Sequence, residues 1–320
     1  MNPLVRRLRR SARVPAGIVA RAASRPLGGG GGLPVSTRAL GAGSPEALRR
    51  AVEGRVVMVT GASSGIGEAA ARRIGAAGAT VLLVARGAEE LERIAGDLEG
   101  AAGAHAMPCD LSDLEAIDDL TERAIAEHGG VDILVNNAGR SIRRSLEHSA
   151  DRFHDFERTM QLNYFGAVRL ILRLLPGMRE RGGGQVINVS SAGVQTRTPR
   201  FSGYIASKAA LEAFSDAVQA EALADGIRFT TISMPLVRTP MISPTAHYDR
   251  FPALTPDEAG RLVAEAIVGR PRRVAPPFAH LVSLVDGVSP ELMDAVRHRG
   301  YRMFPEDGAD RPTSEVPGDG

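Results

Sequence analysis

The sequence has very little of two residue types, since its 320 residues include one cysteine and one lysine. The lone Cys109 excludes an internal disulfide and a cysteine-based zinc site, so we predict no metal site and a buried structural thiol. No uninterrupted apolar run reaches the roughly 20 residues that a bilayer requires, which predicts no membrane-spanning helix. Every basic residue other than Lys208 is arginine. The one lysine therefore indicates a position that needs an ammonium group rather than a guanidinium.

Basic charge is concentrated at the N-terminus. Residues 1–50 contain ten arginines and one acidic residue, Glu46, whereas the whole chain carries a net charge of only +2. The rest of the chain is therefore acidic overall. This distribution argues against nucleic-acid binding by the body of the protein.

The two ends differ in composition from the middle. We interpret residues 1–50, which include the run Gly28–Gly32, as a basic disordered leader and residues 305–320 as a disordered tail. Two alternatives stay open for the leader, a segment that lies on an anionic membrane and a mitochondrial transit peptide. We predict a cytoplasmic protein, with membrane association or a mitochondrial location under those alternatives.

Between the ends, short apolar runs rich in Val and Ile alternate with longer helical patterns. Such runs are typical of strands covered on both faces, and repeated strand–helix units imply a parallel sheet. We predict an α/β fold with a Rossmann-type, doubly wound parallel sheet in a single domain over residues 51–277, followed by an apolar helical extension over 278–304. The predicted strands are Val56–Thr60, Thr80–Ala85, Ala104–Cys109, Asp132–Val135, Gln185–Ser190 and Arg228–Met234.

A glycine-rich turn follows the first predicted strand. It reads TGASSGIG from Thr60 to Gly67, and we expect a helix to begin near Glu68. Glycines let the backbone approach a phosphate closely, and the N–H groups at the start of the helix then face the pyrophosphate of a dinucleotide. The turn therefore predicts a dinucleotide-binding site.

Two charged residues at strand ends bear on which dinucleotide binds. Arg86 follows the second predicted strand, where an acid would bind a ribose 2′-hydroxyl and an arginine accommodates a 2′-phosphate. We therefore predict NADP(H) in preference to NAD(H). Asp110 follows the third predicted strand, and its carboxylate fits either the cap of the next helix or a contact to the adenine amino group.

The segment 191–208, SAGVQTRTPRFSGYIASK, places Tyr204 four residues before Lys208. In a helix, the phenol and the ammonium group would lie on the same face. A nearby cation lowers the pKa of a tyrosine, which would make Tyr204 a usable general acid or base. An ordinary surface pair on an amphipathic helix is the alternative.

Amide residues occupy two further positions of interest. The fourth predicted strand runs into Asn136-Asn137-Ala138-Gly139, where ligands bind in sheets of this kind. The predicted helix Phe153–Met178 contains Asn163 among apolar neighbours. An asparagine there is either a satisfied core amide or a functional residue, because it competes for backbone hydrogen bonds.

Taken together and in this order, TGASSGIG, NNAG, Asn163, Ser191 and YIASK resemble the short-chain dehydrogenase/reductase family over about residues 54–273. The resemblance implies that Tyr204 is the proton donor or acceptor and that Ser191 hydrogen-bonds the substrate oxygen. It implies that Lys208 lowers the pKa of Tyr204 and binds the nicotinamide ribose. It also implies that Asn163 holds a water molecule in a proton relay behind Lys208.

The same resemblance implies a set of cofactor contacts, with Asp110 at the adenine and residues 137–139 along the ribose. Leu236 departs from the family, which commonly has glycine there, and Ser64 stands where NADP-preferring members often have a basic residue. The NADP(H) prediction therefore rests on Arg86. The predicted cofactor-binding residues are Gly61, Ser63, Ser64, Gly65, Ile66, Gly67, Arg86, Asp110, Leu111, Asn137, Ala138, Gly139, Tyr204, Lys208, Pro235, Val237 and Thr239.

A narrower resemblance concerns the substrate. NNAGRSIRRS, NYFGAVRL, MPLVRTPMISPT and GYRMFP are similar to the reductase domain of bacterial fatty acyl-CoA reductases, in which that domain is fused to a second catalytic region. We predict reduction of a lipophilic carbonyl, either a fatty aldehyde, a ketone or an acyl-CoA, with an aldehyde or ketone expected for a stand-alone relative. The alternatives are a lipid-alcohol dehydrogenase acting oxidatively and a dinucleotide-binding sensor or scaffold without turnover.

The loops after the strands bear on the same question. The long apolar loop Leu236–Thr255 fits either a lid over an apolar substrate or a loop packed on the body. It contains Met241, Ile242, Pro244, Tyr248, Phe251 and Leu254. Three arginines after Gly139 fit either contact with a phosphate or a solvated loop. They are Arg140, Arg143 and Arg144.

The last two apolar segments bear on partners. Phe278–Val288 and Glu291–Phe304 fit contact with a membrane surface or with another subunit. We predict a homodimer or homotetramer, with peripheral membrane contact as a further expectation.

Overall fold

The computed structural model describes residues 44–242 and 251–303. Several predicted features lie outside the described residues. They are the leader up to residue 43, Pro244 and Tyr248 of the long loop, Phe304, and the C-terminal tail.

Seven parallel strands form the centre of the fold. They are β1 (Val56–Thr60), β2 (Thr80–Ala85), β3 (Gly103–Pro108), β4 (Ile133–Asn136), β5 (Gly184–Ser191), β6 (Ile227–Met234) and β7 (Arg273–Val274). They form one sheet in the order β3-β2-β1-β4-β5-β6-β7. This order confirms the predicted doubly wound Rossmann-type α/β fold. Its direction reverses between β1 and β4, and a crevice opens at the carboxyl ends of the strands at such a point.

The strand predictions were accurate except at one edge. The first six strands lie within one residue of their predicted limits at each end. The edge strand β7 was missed because it has only two residues, and two residues are too few to show an apolar period.

Helices cover both faces of the sheet. They are α1 (Pro45–Val52), α2 (Gly65–Ala76), α3 (Ala88–Gly96), α4 (Leu114–His128), α5 (Phe153–Met160), α6 (Ala167–Glu180), α7 (Gly193–Thr196), α8 (Ser202–Ala222), α9 (Pro256–Gly269), α10 (Pro277–Val288) and α11 (Pro290–Met303). A 3₁₀ turn occupies Glu147–Ser149 and a π-helix occupies Gln161–Gly166. Among the described residues, no helix is both long and apolar enough to cross a bilayer.

The core consists of two apolar clusters, one on each face of the sheet. Val57 and Val59 of β1 belong to the cluster beneath α2 and α9, whereas Met58 belongs to the cluster beneath α4 and α6. Side chains alternate between the faces of a strand, so a strand buried on both sides is apolar at every position. This is the reason why the apolar runs in the sequence mark the strands so closely.

The first helix changes the limit of the predicted leader. Ser44 caps α1, since its Oγ accepts a hydrogen bond from the Ala47 backbone N–H at 3.1 Å, and Pro45 occupies the first turn. Val52 at its end is fully buried in the core. Residues 45–50 therefore belong to the folded part of the chain and not to the leader.

The predicted helix Phe153–Met178 is interrupted in its middle. It consists of α5, the π-helix Gln161–Gly166 and α6, which continues to Glu180. A side chain at Gly166 would lie 2.1 Å from the Leu111 carbonyl oxygen, so glycine permits the close approach of the π-helix to the loop after β3. Single π-turns often occur at functional sites, and this one carries Asn163.

Candidate active site

A cleft of about 1760 Å³ lies at the carboxyl ends of the strands. Such a volume exceeds the roughly 300–1,000 Å³ of a typical small-ligand pocket and leaves space for a dinucleotide beside a substrate. Each of the first six strands contributes to its wall through the residue that ends it or follows it. These residues are Gly61, Arg86, Cys109, Asn137, Ser191 and Pro235.

The cleft brings together the predicted site residues, with two exceptions. Gly67 and Asn163 lie behind its wall. Gly67 is buried, and a Cβ there would lie 2.1 Å from the Gly61 carbonyl oxygen, so this position allows the glycine-rich turn to close on itself. Asn163 is bonded to the backbone of Arg140.

The glycine-rich turn presents backbone groups to the cleft. Gly61 and Gly65 have φ angles of 65° and 60°, a left-handed conformation that favours glycine. Helix α2 begins at Gly65, three residues before the predicted start, because tertiary packing overrides the low helix propensity of glycine. Ser64 makes no side-chain cap, so the first N–H groups of α2 are not satisfied by that hydroxyl. This cradle fits the pyrophosphate of a dinucleotide.

Thr60 connects the glycine-rich turn to the loop after β4. Its Oγ accepts hydrogen bonds from the backbone N–H groups of Asn137 and Ala138, both at 3.0 Å. The Asn137 side chain donates in return to the Thr60 carbonyl oxygen at 3.0 Å. The sequence analysis placed Thr60 at the end of a strand and at the start of the glycine-rich turn. It missed the connection that Thr60 makes to the loop after β4.

Asp110 lies on the cleft wall and does not cap the following helix. Asp113 caps α4 by accepting from the backbone N–H groups of Glu115 and Ala116. Asp110 accepts instead from the Ser112 hydroxyl at 2.6 Å and from the Ser112 N–H at 2.9 Å. These hydrogen bonds lower the pKa of Asp110, and the charge of Arg86 lowers it further. Of the two alternatives, the helix cap is therefore wrong.

Tyr204 lies beside Ser191 at the end of β5, close enough for the Ser191 hydroxyl to affect the pKa of the phenol. Ser191 Oγ accepts from the Gly193 backbone N–H at 3.0 Å, which fixes the hydroxyl. Burial raises the pKa of Tyr204 above its usual value, and the Ser191 hydroxyl only partly offsets that effect. Lys208 is not among the causes of this shift, so its expected effect on the Tyr204 pKa stays a prediction. The phenol is held in its protonated form.

Lys208 is buried, and its ammonium group has a hydrogen-bond partner. Its side chain follows Tyr204 on α8 by one turn, and Nζ donates to the Val189 carbonyl oxygen at 2.9 Å. Burial lowers the pKa of Lys208 to about 8, against the opposing effect of the Glu212 charge. Since Lys208 is only 4% exposed, the alternative of an ordinary surface Tyr–Lys pair is wrong.

Asn163 is a fully bonded amide that holds the loop after β4 in place. Its Oδ1 accepts from the Arg140 N–H at 2.8 Å, and its Nδ2 donates to the Arg140 carbonyl oxygen and to Ser207 Oγ, both at 2.9 Å. A Cβ at Gly139 would lie 3.3 Å from Asn163 Oδ1 and 3.3 Å from Lys208 Nζ, so the three residues adjoin. The water implied for Asn163 stays a prediction. Sequence reasoning missed Ser207, which directly precedes Lys208.

Part of the cleft wall is apolar. It is lined by side chains from the loop after β6 and from the start of α10, namely Met241, Ile242, Phe251 and Phe278. Leu254 at the end of the same loop is fully buried, and a parallel bridge pairs it with Val237. The described parts of Leu236–Thr255 therefore include both a cleft wall and a packed base.

The three arginines after Gly139 separate into two kinds. Arg144 lines the cleft, but its Nε donates to Asp155 Oδ2 at 3.1 Å, and Asp155 is nearly buried. That ion pair gives Arg144 a structural role at the wall. Arg140 and Arg143 also line the cleft, and the charge of Arg140 contributes to the lowered pKa of Asp110.

The lone cysteine lies in the core as predicted. Cys109 is buried, and its Sγ donates to the Ala116 carbonyl oxygen at 3.4 Å. Burial raises the pKa of its thiol to about 11. A thiol with that pKa carries little thiolate near neutral pH and is a poor nucleophile.

Close relatives of the chain are oxidoreductases. It is 58% identical over 266 residues to an uncharacterized oxidoreductase of Mycobacterium bovis, a match that covers 82% of this chain and 78% of that protein. It is 53% identical over 266 residues to a fatty acyl-CoA reductase of Acinetobacter baylyi, which covers 82% of this chain and 90% of that protein. So little of that reductase lies outside the match that it has no room for a fused second catalytic region. The expected fusion is therefore wrong for this relative.

Solved structures and a family model agree on the class of protein. The crystal structure of L-sorbose reductase from Gluconobacter frateurii, complexed with NADPH and L-sorbose, matches with a TM-score of 0.63 and 30% identity over 68% of this chain and 91% of that chain. The short chain dehydrogenase model matches residues 55–249. The protein is therefore an oxidoreductase of the short-chain dehydrogenase/reductase family, whose members use NAD(P)(H).

Proposed function

We propose that the protein reduces long-chain lipophilic carbonyl compounds, fatty acyl-CoA or fatty aldehyde, with NADPH. The observation that carries the proposal is the apolar wall of Met241, Ile242, Phe251 and Phe278 in the same cleft as Ser191 and Tyr204. Burying an apolar chain against such a wall contributes about 0.8 kcal/mol per methylene group. The name of the Acinetobacter relative, a fatty acyl-CoA reductase at 53% identity, supports the same substrate class.

Tyr204 is the proton donor in this reaction. When bound, NADPH supplies the hydride to the carbonyl carbon, and the protein supplies position and a proton. Ser191 and the Tyr204 phenol together bind the carbonyl oxygen, and the phenol transfers its proton to that oxygen. With an aldehyde or ketone this step gives the alcohol. With an acyl-CoA it gives a hemithioacetal, which releases the CoA thiol and leaves the aldehyde for a second round of reduction. The raised pKa of Tyr204 keeps the phenol protonated, which suits the reductive direction.

Other residues hold the cofactor and the donor. The turn at Gly61 and Gly65 receives the pyrophosphate, and Lys208 binds the nicotinamide ribose. Arg86, exposed on the cleft wall beside Asp110, binds the 2′-phosphate of NADPH. Asn163 keeps the loop of residues 137–140 in register with α8 through Arg140 and Ser207.

Helices α10 and α11 present an apolar face that fits a lipid surface. Leu281, Leu284 and Val288 on α10 are 62%, 67% and 80% exposed. Leu292 and Val296 on α11 are 55% exposed, and Arg299 lies at helical spacing on the same stripe.

The chemistry of this face favours anionic phospholipid as its occupant. Arginine beside an apolar stripe is typical of interfacial helices, which combine apolar burial with attraction to anionic headgroups. Phe278 at the start of α10 lines the cleft, so the face is continuous with the apolar part of the cleft wall. A lipophilic substrate therefore enters from the bilayer surface.

Co-sedimentation with anionic vesicles tests this face. Leu284→Glu is expected to reduce vesicle binding, and Leu172→Glu on α6, which replaces an exposed leucine outside the face, is the matched control. Light scattering on the same variants tests the predicted homodimer or homotetramer. A change in subunit number with unchanged vesicle binding would give the face to a second subunit instead.

The proposed reaction is tested by following NADPH oxidation with acyl-CoA esters, aldehydes and ketones of 4 to 18 carbons and by identifying the aldehyde or alcohol formed. We expect kcat/KM to rise with chain length and Tyr204→Phe to lack the activity. Higher efficiency on small polar sugars than on long-chain substrates would overturn the proposal.

A further inference from the structure

Helix α8 and strand β5 are joined by side-chain hydrogen bonds beside the active site, one of which runs from Asn188 Nδ2 to Ser215 Oγ at 2.8 Å. Lys208 donates to the Val189 carbonyl oxygen, Ser190 Oγ donates to Glu212, and Tyr204 lies beside Ser191. These last three helix residues recur at spacings of four, on one face, and their neighbours are three consecutive strand residues. Tyr204, Lys208 and Ser191 are already placed in the proposed reaction, whereas Glu212 has no role in it.

Glu212 is a buried carboxylate. It is 6% exposed, and its Oε2 accepts from Arg273 Nη1 of β7 at 3.0 Å. Its Oε1 accepts the Ser190 hydroxyl at 2.5 Å. Both carboxylate oxygens are therefore occupied by groups of the protein, and Glu212 does not line the cleft. It has no position from which to contact substrate or cofactor.

We propose that Glu212 is a positioning residue for the reaction, which holds the end of β5 against α8 and supplies the buried counter-charge of the Lys208 ammonium. The expected effect on catalysis rests on the proposed function, whereas the expected effect on the Lys208 pKa does not.

The charge of Glu212 matters because the Lys208 ammonium is buried. A buried ammonium needs a compensating charge, because leaving it uncompensated in the interior is costly. The Glu212 charge opposes the burial that lowers the pKa of Lys208. Burial raises the pKa of Glu212 itself, and the hydrogen bonds from Ser190 and Arg273 lower it and favour the ionised form.

Further charged groups face this site. Asp216, one turn beyond Glu212 on α8, accepts from Arg273 Nη2 at 3.2 Å and also from Arg272. The two arginines therefore keep a carboxylate partner when Glu212 loses its charge, whereas Lys208 is left with Val189 only. A neutral residue at 212 should consequently act on Lys208 more than on the arginines.

The position of Ser190 matters because of the residues on either side of it in β5. Ser190 lies between Val189, which accepts from Lys208, and Ser191, which lies beside Tyr204. A shift of the strand end at Ser190 therefore displaces the neighbours of both residues. Effective reaction geometry is lost with displacements on the order of 1 Å.

The simpler role for Glu212 is a structural ion pair with Arg273 that has no bearing on the active site. The two roles differ in what happens to Lys208 when the charge is removed without changing the shape. Glu212→Gln retains the length and a hydrogen-bonding amide. Glu265→Gln is the matched control, since Glu265 on α9 is also a partly buried carboxylate with a raised pKa, and its charged neighbours are Arg261 and Arg73.

Lys208 can be titrated directly because it is the only lysine in the chain. Lysine labelled with ¹³C at the ε position gives one side-chain resonance, whose chemical shift against pH reports the Lys208 pKa without any enzyme assay. Removing an opposite charge close to a buried amine lowers its pKa by about 1 unit or more. We expect that fall in Glu212→Gln and no change in Glu265→Gln. An unchanged Lys208 midpoint in Glu212→Gln would overturn the proposal.

The kinetic consequence is a shift in the alkaline limb of kcat/KM. Loss of the Lys208 proton reduces activity, so the limb should move to lower pH in Glu212→Gln by the same amount as the titration midpoint. A shifted midpoint in a protein without reductase activity would support the role of Glu212 and contradict the proposed function. Should Glu212→Gln fail to fold, Ser190→Ala tests the same claim. It removes one hydrogen bond that keeps Glu212 ionised, and a smaller fall of the Lys208 midpoint is expected, whereas no fall would contradict it.

Discussion

The polar and the apolar parts of the cleft wall, which we call its polar end and its apolar end, are built in different ways. At the polar end, Asn137 is held by Thr60, Asp110 by Ser112, and Asn163 by the backbone of Arg140, each through hydrogen bonds of 3.0 Å or less. The apolar end of the wall consists of apolar side chains from separate segments, namely the loop after β6 and the start of α10.

The difference explains what each end can specify. Hydrogen bonds require particular donors and acceptors at fixed distances, so the polar end has a recognisable order of residues along the chain. An apolar wall requires only surface and volume, which many residue combinations supply. The polar end therefore defines the chemistry, and the apolar end defines the size and character of the substrate.

The largest effect is expected from Tyr204→Phe at the polar end. The variant keeps the ring but loses the proton donor, and a positioned general acid contributes about 10²–10⁴-fold in rate. We expect kcat to fall within that range while the Kd for NADPH changes little. Combining it with Lys208→Arg should add much less than the product of the single effects, as for residues that act as one unit.

A titration of NADPH by fluorescence, together with turnover measurements, checks the Tyr204→Phe variant. Activity within a few-fold of that of the parent protein would show that the polar end does not supply the proton donor.

A smaller effect is expected at the edge of the polar end from Arg86→Ala. Charge-assisted hydrogen bonds to a phosphate contribute about 1.5–3 kcal/mol, so affinity for NADPH should fall about ten-fold to a hundred-fold. Affinity for NADH should stay the same, because it has no 2′-phosphate. Isothermal titration with both cofactors measures the difference. If the parent protein binds the two equally, the preference for NADPH is wrong.

The smallest effect is expected at the apolar end from Phe278→Ala. Phe278 is partly exposed, so only part of the roughly 1.5–3 kcal/mol of a fully buried side chain is lost. We expect kcat/KM for a long-chain substrate to fall about three-fold to ten-fold, with little change for a short one. Leu172→Ala on α6 is the control, since Leu172 is exposed and neither lines the cleft nor belongs to the face of α10 and α11. Equal losses for long and short substrates would contradict the assignment of this wall.

Much of the fold could be predicted, for a physical reason. Strands buried on both faces must be apolar at each position, which fixed the first six strands to within one residue. Features that depend on tertiary contacts were missed or misplaced. Helix α2 begins inside its glycine motif, β7 is too short to show a pattern, and the π-helix at Asn163 has no period that distinguishes it from α-helix.

The pKa values of the site residues also could not be predicted from the sequence. Spacing along α8 correctly placed Tyr204 and Lys208 on one face, because helical geometry is local. The direction of the Tyr204 pKa could not be read from that spacing. It depends on burial, and burial is decided by the chain segments that fold over α8. For the same reason the bond between Ser190 and Glu212 could not be predicted, although Glu212 stands one turn after Lys208.

Substitution of the lone lysine tests the central claim most directly. Lys208→Arg keeps the positive charge and a donor for the Val189 carbonyl oxygen. The larger guanidinium in a buried position costs about 1–3 kcal/mol of stability, so turnover is compared per folded molecule, with the folded fraction measured by circular dichroism. The account predicts that kcat falls by a large part of the 10²–10⁴-fold that a positioned general acid contributes. Near-normal turnover in Lys208→Arg would contradict the identification of Tyr204 and Lys208 as the chemical centre.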